Sequence, residues 1–339
     1  MGMSALKDII IIINMILKPL AKCRSVLIIR PEGSLGDSII TSCFYRELKK
    51  ANPKLKISVV CFGASFLYLK DNIYIDRIYR LPIKRVLRPH QRIISLLILG
   101  LRLGFTKFDI VIDDGQKNYL NYRMFRTLIG RNRILDSRSF GYLGNSLQER
   151  TKIYLCKLTD RKDPDISYDI QVAPDSKRYL KEFLRKYNIG FYICFNMFAS
   201  VKERSINGNT VSVLDVLFRK YLESIPVFCV FRPGQKTVWE NIIKTYGLKN
   251  YYLFETRNIS DLLAAVIDKN DFILVSPDSA AVHAASPFRI KTLVFYDSIP
   301  AAVGCKANND NATEIYPEKP GCNNFDIKEL EKAFCKIIK

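Results

Sequence analysis

Short apolar runs and longer amphipathic segments alternate along almost the whole chain, and this alternation limits the fold more than any other feature. The runs at 26–30, 56–62, 109–113, 192–197, 227–231, 272–276 and 292–296 read as strands, with shorter ones near 78–81, 131–139 and 251–254. Between them lie stretches of helical period. These include 38–50, 64–71, 89–103, 118–129, 147–158, 175–187, 210–221, 237–246, 259–268 and 279–285, with a terminal helix at 326–338. Strands separated by helices of this length predict parallel βαβ units and an open, doubly wound α/β sheet. A polar, proline-bearing stretch at 160–176 divides the series in two, and 339 residues exceed one ordinary core. The expectation is two Rossmann-like domains with parallel sheets facing a central cleft, with ligands beyond the carboxyl ends of the strands. The boundaries read from the sequence are 1–165, 176–325 and a terminal helix at 326–339.

Composition narrows the partners. Lys and Arg number 53 against 33 Asp and Glu, a net charge of +20, which calls for an anionic counterpart. The nine cysteines form no C-x-x-C pair, and the chain has only two histidines, so no zinc site is expected. Cys61, Cys194 and Cys229 sit within apolar patterns and read as small buried residues of a reducing compartment. Near the start, the apolar run 9–17 is broken by Asn14. It is about half as long as a membrane span. Its flank is scarcely basic and no small-x-small cleavage site follows, so secretion is not expected. Residues 1–22 read as a helix packed on the domain or as one lying on a membrane surface.

Three post-strand loops carry the chemistry. The first is "GSLGD", Gly33 to Asp37, between a strand and a helix. Gly33 and Gly36 allow a tight turn, with Ser34 between them. A carboxylate is favoured at a helix N-terminus, so Asp37 reads either as an N-cap or as a reactive group. The spacing is not G-x-G-x-x-G, and a carboxylate there would repel a pyrophosphate, so the dinucleotide reading fails on charge. The second loop, "FNMFASVKERSIN", offers Ser200, Lys202 and Arg204, either as a solvated basic turn or as a clamp on a diphosphate. The third is "SPDSAAVHAAS". Asp278 and Ser279 follow a buried strand, and Ala280, Ala281 and His283 lie on a small-residue helix. Backbone N–H groups there suit an anion. His283 reads as a packed core residue or as part of that site.

These three loops, in this order, resemble glycosyltransferase family 9, the ADP-heptose:lipopolysaccharide heptosyltransferases. "GSLGD" is similar to the family's N-terminal motif, "SPDSAAVHAAS" to its Asp-Thr-Gly…His donor motif, and "FASVKERS" holds the place of its basic donor loop. The likeness in element order runs from Val26 to the terminal helix. It implies a GT-B fold, with an acceptor-binding N-terminal domain and a C-terminal domain that binds a nucleotide sugar. It implies inverting, metal-independent transfer with no cofactor, heptose passing from ADP-heptose to the lipopolysaccharide inner core. Asp37 matches the family's general base. Lys202 or Arg204 and the groups near Ser279 and Ala281 would meet the leaving diphosphate. Ile259 stands where a hydrophobic residue lines the adenine pocket. The chain departs from the pattern at Ala280, where the family has glycine, after Arg204, where it has no Lys-Trp pair, and in "GQKTVWE", which lacks the usual Glu.

The implied partners are a nucleotide-sugar donor and an anionic lipid-linked oligosaccharide acceptor. The implied place is the cytoplasmic face of the bacterial inner membrane. Arg77, Arg80, Lys84, Arg85, Arg88, Arg92 and Arg102 interleave with Ile93, Ile94, Leu96, Leu97 and Leu99. That pattern suits an anionic membrane or, equally, a solvated face over a normal core. Three rivals remain. One is a relative with another nucleotide sugar. Another is a non-catalytic nucleotide- or anion-binding protein; a nucleotide-binding oxidoreductase is set aside because the chain lacks G-x-G-x-x-G and a ribose carboxylate about 20 residues on. The third is a nucleic-acid binder, disfavoured because no basic module with interleaved aromatics is visible.

Overall fold

Strands apolar on both faces need cover on both sides, and in this chain helices supply it twice. The computed structural model describes residues 20–30, 34–81, 89–113, 127–129, 134–136, 146–268, 271–298 and 306–338. The 9–17 run, Gly33, Lys84, Arg85, Arg88 and most of the helix expected at 118–129 lie outside them. The chain divides into two compact units. The first comprises 1–33, 43–144 and 149–166; the second comprises 34–42, 145–148 and 167–339.

The sheet of the first unit is wholly parallel, in the order β3-β2-β1-β4-β5. Its strands are β1 (Ser25–Arg30), β2 (Lys56–Phe62), β3 (Arg77–Leu81), β4 (Ile110–Asp113) and β5 (Ile134–Asp136). Val26 to Ile29 are buried at the centre of the sheet. Leu27, Ile29, Val60, Tyr79, Phe108 and Val111 form one core with Leu103 of the Pro89–Phe105 helix, and Leu96 and Leu99 of that helix pack against it.

The second unit holds a six-stranded parallel sheet, ordered β11-β10-β9-β6-β7-β8. Its strands are β6 (Tyr192–Phe195), β7 (Val227–Phe231), β8 (Tyr251–Glu255), β9 (Asp271–Pro277), β10 (Thr292–Phe295) and β11 (Ala312–Ile315). The chain runs outward from β6 to β8, then returns to β9 on the other side of β6. The carboxyl ends of β6 and β9 therefore flank a topological switch point, where open α/β sheets place ligands. Trp239 is fully buried edge-on to Phe195, ring centroids 5.4 Å apart. Leu330, Phe334 and Ile337 of the terminal Ile327–Ile338 helix enter the same core.

One expected helix is two. The segment expected at 38–50 forms a Leu35–Ile40 helix and a Cys43–Ala51 helix. Hydroxyls explain the break. Thr41 Oγ1 donates to the Asp37 carbonyl at 2.7 Å, and Ser42 Oγ donates to the Ile39 carbonyl at 2.6 Å. Ser42 Oγ also accepts from the Asp169 N–H at 2.7 Å. Such side-chain bonds compete with the helical ladder. The Leu35–Ile40 helix accordingly belongs to the second unit, although its sequence lies between β1 and β2.

Candidate functional site

The second unit brings three strand ends together because β6, β9 and β10 are adjacent and parallel. After β6 the chain loops through Ser200 into a 3-10 turn, Lys202–Arg204. That loop is fastened from a distant segment. The Cys322 thiol donates to the carbonyls of Arg204 and Ser205, each at 3.2 Å. Asn323 Nδ2 donates to Ser205 O at 2.9 Å, while Asn323 Oδ1 accepts from Asn207 N and Thr210 Oγ1 at 2.9 and 2.8 Å. Burial pushes the Cys322 thiol up to about 11, so it stays a neutral donor.

The guanidinium of Arg204 is taken by two carboxylates. Its Nη2 donates to Asp278 Oδ2 at 2.5 Å, and its Nε lies 3.1 Å from Asp297 Oδ2. Asp278 follows β9 and Asp297 follows β10. Burial raises the Asp278 pKa, and the Asp297 charge adds to that; Arg204 opposes both without cancelling them. Lys202 stands exposed on the same turn and makes no ion pair among the described residues. Ser200 is exposed as well. The fork expected to clamp a diphosphate is therefore occupied in this structure, and its lysine neighbour is not.

Beside this ion cluster lies a neutral one. Ser279 caps the Ala280–Ala285 helix, its Oγ accepting from Ala281 N at 3.3 Å and from Asn196 Nδ2 at 3.1 Å. Ser276 Oγ lies 2.9 Å from Ser279 Oγ and 3.0 Å from Asn196 Nδ2. Asn196 follows β6 directly, so this network ties the two strand ends of the switch point together. Ala280 is an ordinary helical residue with no left-handed backbone, so alanine is accommodated where the resembling family has glycine.

His283 is buried at 3% exposure on that helix. Its Nε2 lies 3.7 Å from Asp278 Oδ1, and its buried Nδ1 has no hydrogen-bond partner. Burial pulls its pKa down to about 4, with Asp37 acting in the opposite sense. The imidazole is neutral near pH 7. The Leu35–Ile40 helix lies against it: a Cβ added to Gly36 would sit 3.0 Å from the His283 Cδ2. Ser34, not Asp37, is the N-cap of this helix, since its Oγ accepts the Asp37 N–H at 3.1 Å. The Asp37 carboxylate is thus released from capping and is half-exposed in the first turn.

The structure brings Ser34, Gly36, Asp37, Arg204, Asp278, Ser279, Ala280, Ala281 and His283 into one region of the second unit. Ile259 is half-buried at the start of the Ile259–Val266 helix, which Asn258 caps and which packs on the Ala280–Ala285 helix. Sequence reasoning missed Asn196, Ser276, Asp297, Cys322 and Asn323. Asn196 and Asp297 had a signal, since each is a polar residue just past a buried apolar strand. Ser276 opens the quoted third loop, while Cys322 and Asn323 had no signal. Among the described residues, no group of His, Cys, Asp and Glu is arranged to hold a metal ion.

No protein-family model and no curated protein sequence matches the chain. Solved structures do. A glycosyl transferase family 9 protein from Veillonella parvula superposes with a TM-score of 0.73 at 15% identity, covering 95% of this chain and 99% of its own. The E. coli ADP-heptose lipopolysaccharide heptosyltransferase II gives 0.66 at 13% identity, covering 93% and 98%. An E. coli heptosyltransferase solved with ADP-2-deoxy-2-fluoro heptose gives 0.64 at 13%, covering 92% and 99%. These likenesses extend over nearly the whole length of each chain, and the architecture here, two parallel α/β sheets, is the GT-B fold that the family 9 glycosyltransferases share.

Proposed function

We propose that the protein is an inverting, metal-independent glycosyltransferase that moves heptose from ADP-heptose to the lipopolysaccharide inner core, with Asp37 as general base. One observation carries this reading. The Gly36-Asp37 turn packs on His283, beside Asp278 and Ser279, so the first and last motifs occupy one place although some 240 residues separate them. An enzyme that joins an acceptor to a sugar diphosphate needs a base and an anion site adjacent to each other.

In the proposed reaction Asp37 takes the proton of the acceptor hydroxyl. The hydroxyl oxygen attacks the anomeric carbon as its bond to the diphosphate breaks. The bonding pair leaves with ADP, and a single displacement inverts that carbon. A general base of this kind contributes about 10²–10⁴-fold. Lys202 is the cation free to approach the departing diphosphate, and Arg204 orders the loop that carries it. Neutral His283 can offer an N–H without adding charge, and preorganised donors of this sort stabilise a developing anion. The acceptor in this reading is an anionic lipid-linked oligosaccharide at the inner face of the inner membrane, which the +20 charge suits. No helix among the described residues is long and apolar enough to cross a membrane.

The test is thermal stabilisation of the purified protein by ADP, UDP, GDP and CDP, each without added metal. A selective shift with ADP is expected. A shift with UDP or GDP instead would keep the transferase and overturn the donor. No shift with any of the four would overturn the nucleotide-sugar reading.

A further inference from the structure

The Pro89–Phe105 helix is apolar on two opposite sides, and the fold uses only one. Leu96, Leu99 and Leu103 face the core of the first unit. Ile94, Ile98, Leu101 and Phe105 face solvent, at 53, 62, 49 and 84% exposure. Their spacing of four, three and four residues stacks them in one stripe, about 16 Å long at 1.5 Å per residue. A helix apolar all round is normally covered all round. An exposed apolar patch of this kind marks an interaction site.

The surroundings of the stripe indicate what covers it. From 77 to 108 the chain carries eight Lys and Arg and not one Asp or Glu. Arg77 of β3 and Arg102 of the helix both lie over the Tyr79 ring, each 5.9 Å from its centroid. Arg80 lies 4.8 Å from the Phe66 ring, and Lys107 is exposed just past the helix end. Tyr79 shares a face of the edge strand β3 with the helix, so Arg77 and Arg102 border the stripe there, while Arg80, the next residue of the strand, points to the other face. A protein partner with an apolar groove would not require basic side chains beside the stripe. Anionic lipid headgroups over acyl chains require both parts.

We infer that Ile94, Ile98, Leu101 and Phe105 form a docking surface that enters the interface of an anionic lipid bilayer, with Arg77, Arg102 and Lys107 on the headgroups. This deepens the reading above and rests on it for the lipid-linked acceptor. It gives that reading a place on the first unit where the enzyme meets the membrane, while the donor residues belong to the second unit.

The experiment is flotation of the full chain with phosphatidylcholine vesicles, with and without phosphatidylglycerol, beside the double variant Ile98→Ser/Phe105→Ser. The wild type should float with the anionic vesicles only, and raised salt should release it. The double variant should lose at least about tenfold in partitioning. Its melting temperature should be unchanged, because both side chains are exposed. Failure of the wild type to bind anionic vesicles overturns the proposal. Equal binding by the variant overturns the assignment to this stripe. A wild-type dimer that the variant turns monomeric, with no vesicle binding, makes the stripe a contact between copies and also overturns it. Asp37→Ala should float like the wild type. If stripe-dependent flotation holds while no nucleotide stabilises the protein, docking stands and the transferase reading falls.

Discussion

Gly36 and His283 are in contact across 247 residues of sequence: an added Cβ at 36 would lie 3.0 Å from the imidazole. The ring is buried, at 3% exposure. Gly36→Ala should therefore cost about 1–3 kcal/mol of stability, as overpacking does. Urea unfolding of the two proteins checks this. A variant as stable as the wild type would mean that the Leu35–Ile40 helix shifts freely on the imidazole.

The same imidazole should give stability a dependence on acid. Its folded pKa is lowered from 6.5 to about 4 by burial. Above pH 6.5 both folded and unfolded forms are neutral, and the contribution is complete. As pH falls from 6.5 towards 4 the unfolded ring gains a proton that the folded ring refuses, and about 3 kcal/mol is lost. His283→Gln should flatten the urea midpoint over that window. Asp278 slopes the other way, because its folded pKa is raised: its contribution is full below the ordinary 3.8 and declines as pH rises through the raised value. An unchanged profile in His283→Gln would show that the ring is solvated.

Arg204 is predicted to hold the loop in place before it meets any ligand. Arg204→Gln leaves Asp278 and Asp297 facing each other without their cation, and should destabilise the protein by about 1–3 kcal/mol. Adding Asp278→Asn should restore part of that loss, because the repulsion goes with the charge. In the nucleotide assay, Lys202→Ala should weaken ADP binding while leaving the melting temperature unchanged. The reverse pattern would exchange the roles of the two cations.

Asp37 should be separable from the fold. Its N–H caps on Ser34, so Asp37→Asn keeps that bond and should change stability by less than about 0.5 kcal/mol. Transfer activity should drop by at least about 100-fold while the ADP shift persists. Normal transfer by Asp37→Asn would remove it as the base. Ser34→Ala is the structural counterpart, expected to cost about 1 kcal/mol through the lost cap.

Much of the architecture was legible because buried parallel strands are short continuous apolar runs. Val227–Phe231 has the bounds read from sequence, and every one of its residues is buried. β11 was not legible: in Ala312–Ile315 only Ile315 is buried, since the strand lies at an edge and carries little apolar signal. The 38–50 helix was misread because its periodicity passes through Thr41 and Ser42, whose hydroxyl bonds outweigh it. Asp278, Ser279 and His283 could be read as one motif because they are local to one turn. The engagement of Arg204 could not, because its partners lie 74 and 93 residues away on other strand ends. The anchoring of its loop by Cys322 and Asn323 is non-local in the same way.

The membership of the Leu35–Ile40 helix has a consequence for building chimeras. A splice at 166/167 looks natural, since one strand series ends there and the next begins. It would nonetheless cut a piece of the second unit away from the rest, and the imidazole of His283 would meet a foreign helix. An exchange of halves between two members of this fold must carry residues 34–42 and 145–148 along with the second half, as inserts in the first, or accept a mismatched surface at the base of the site.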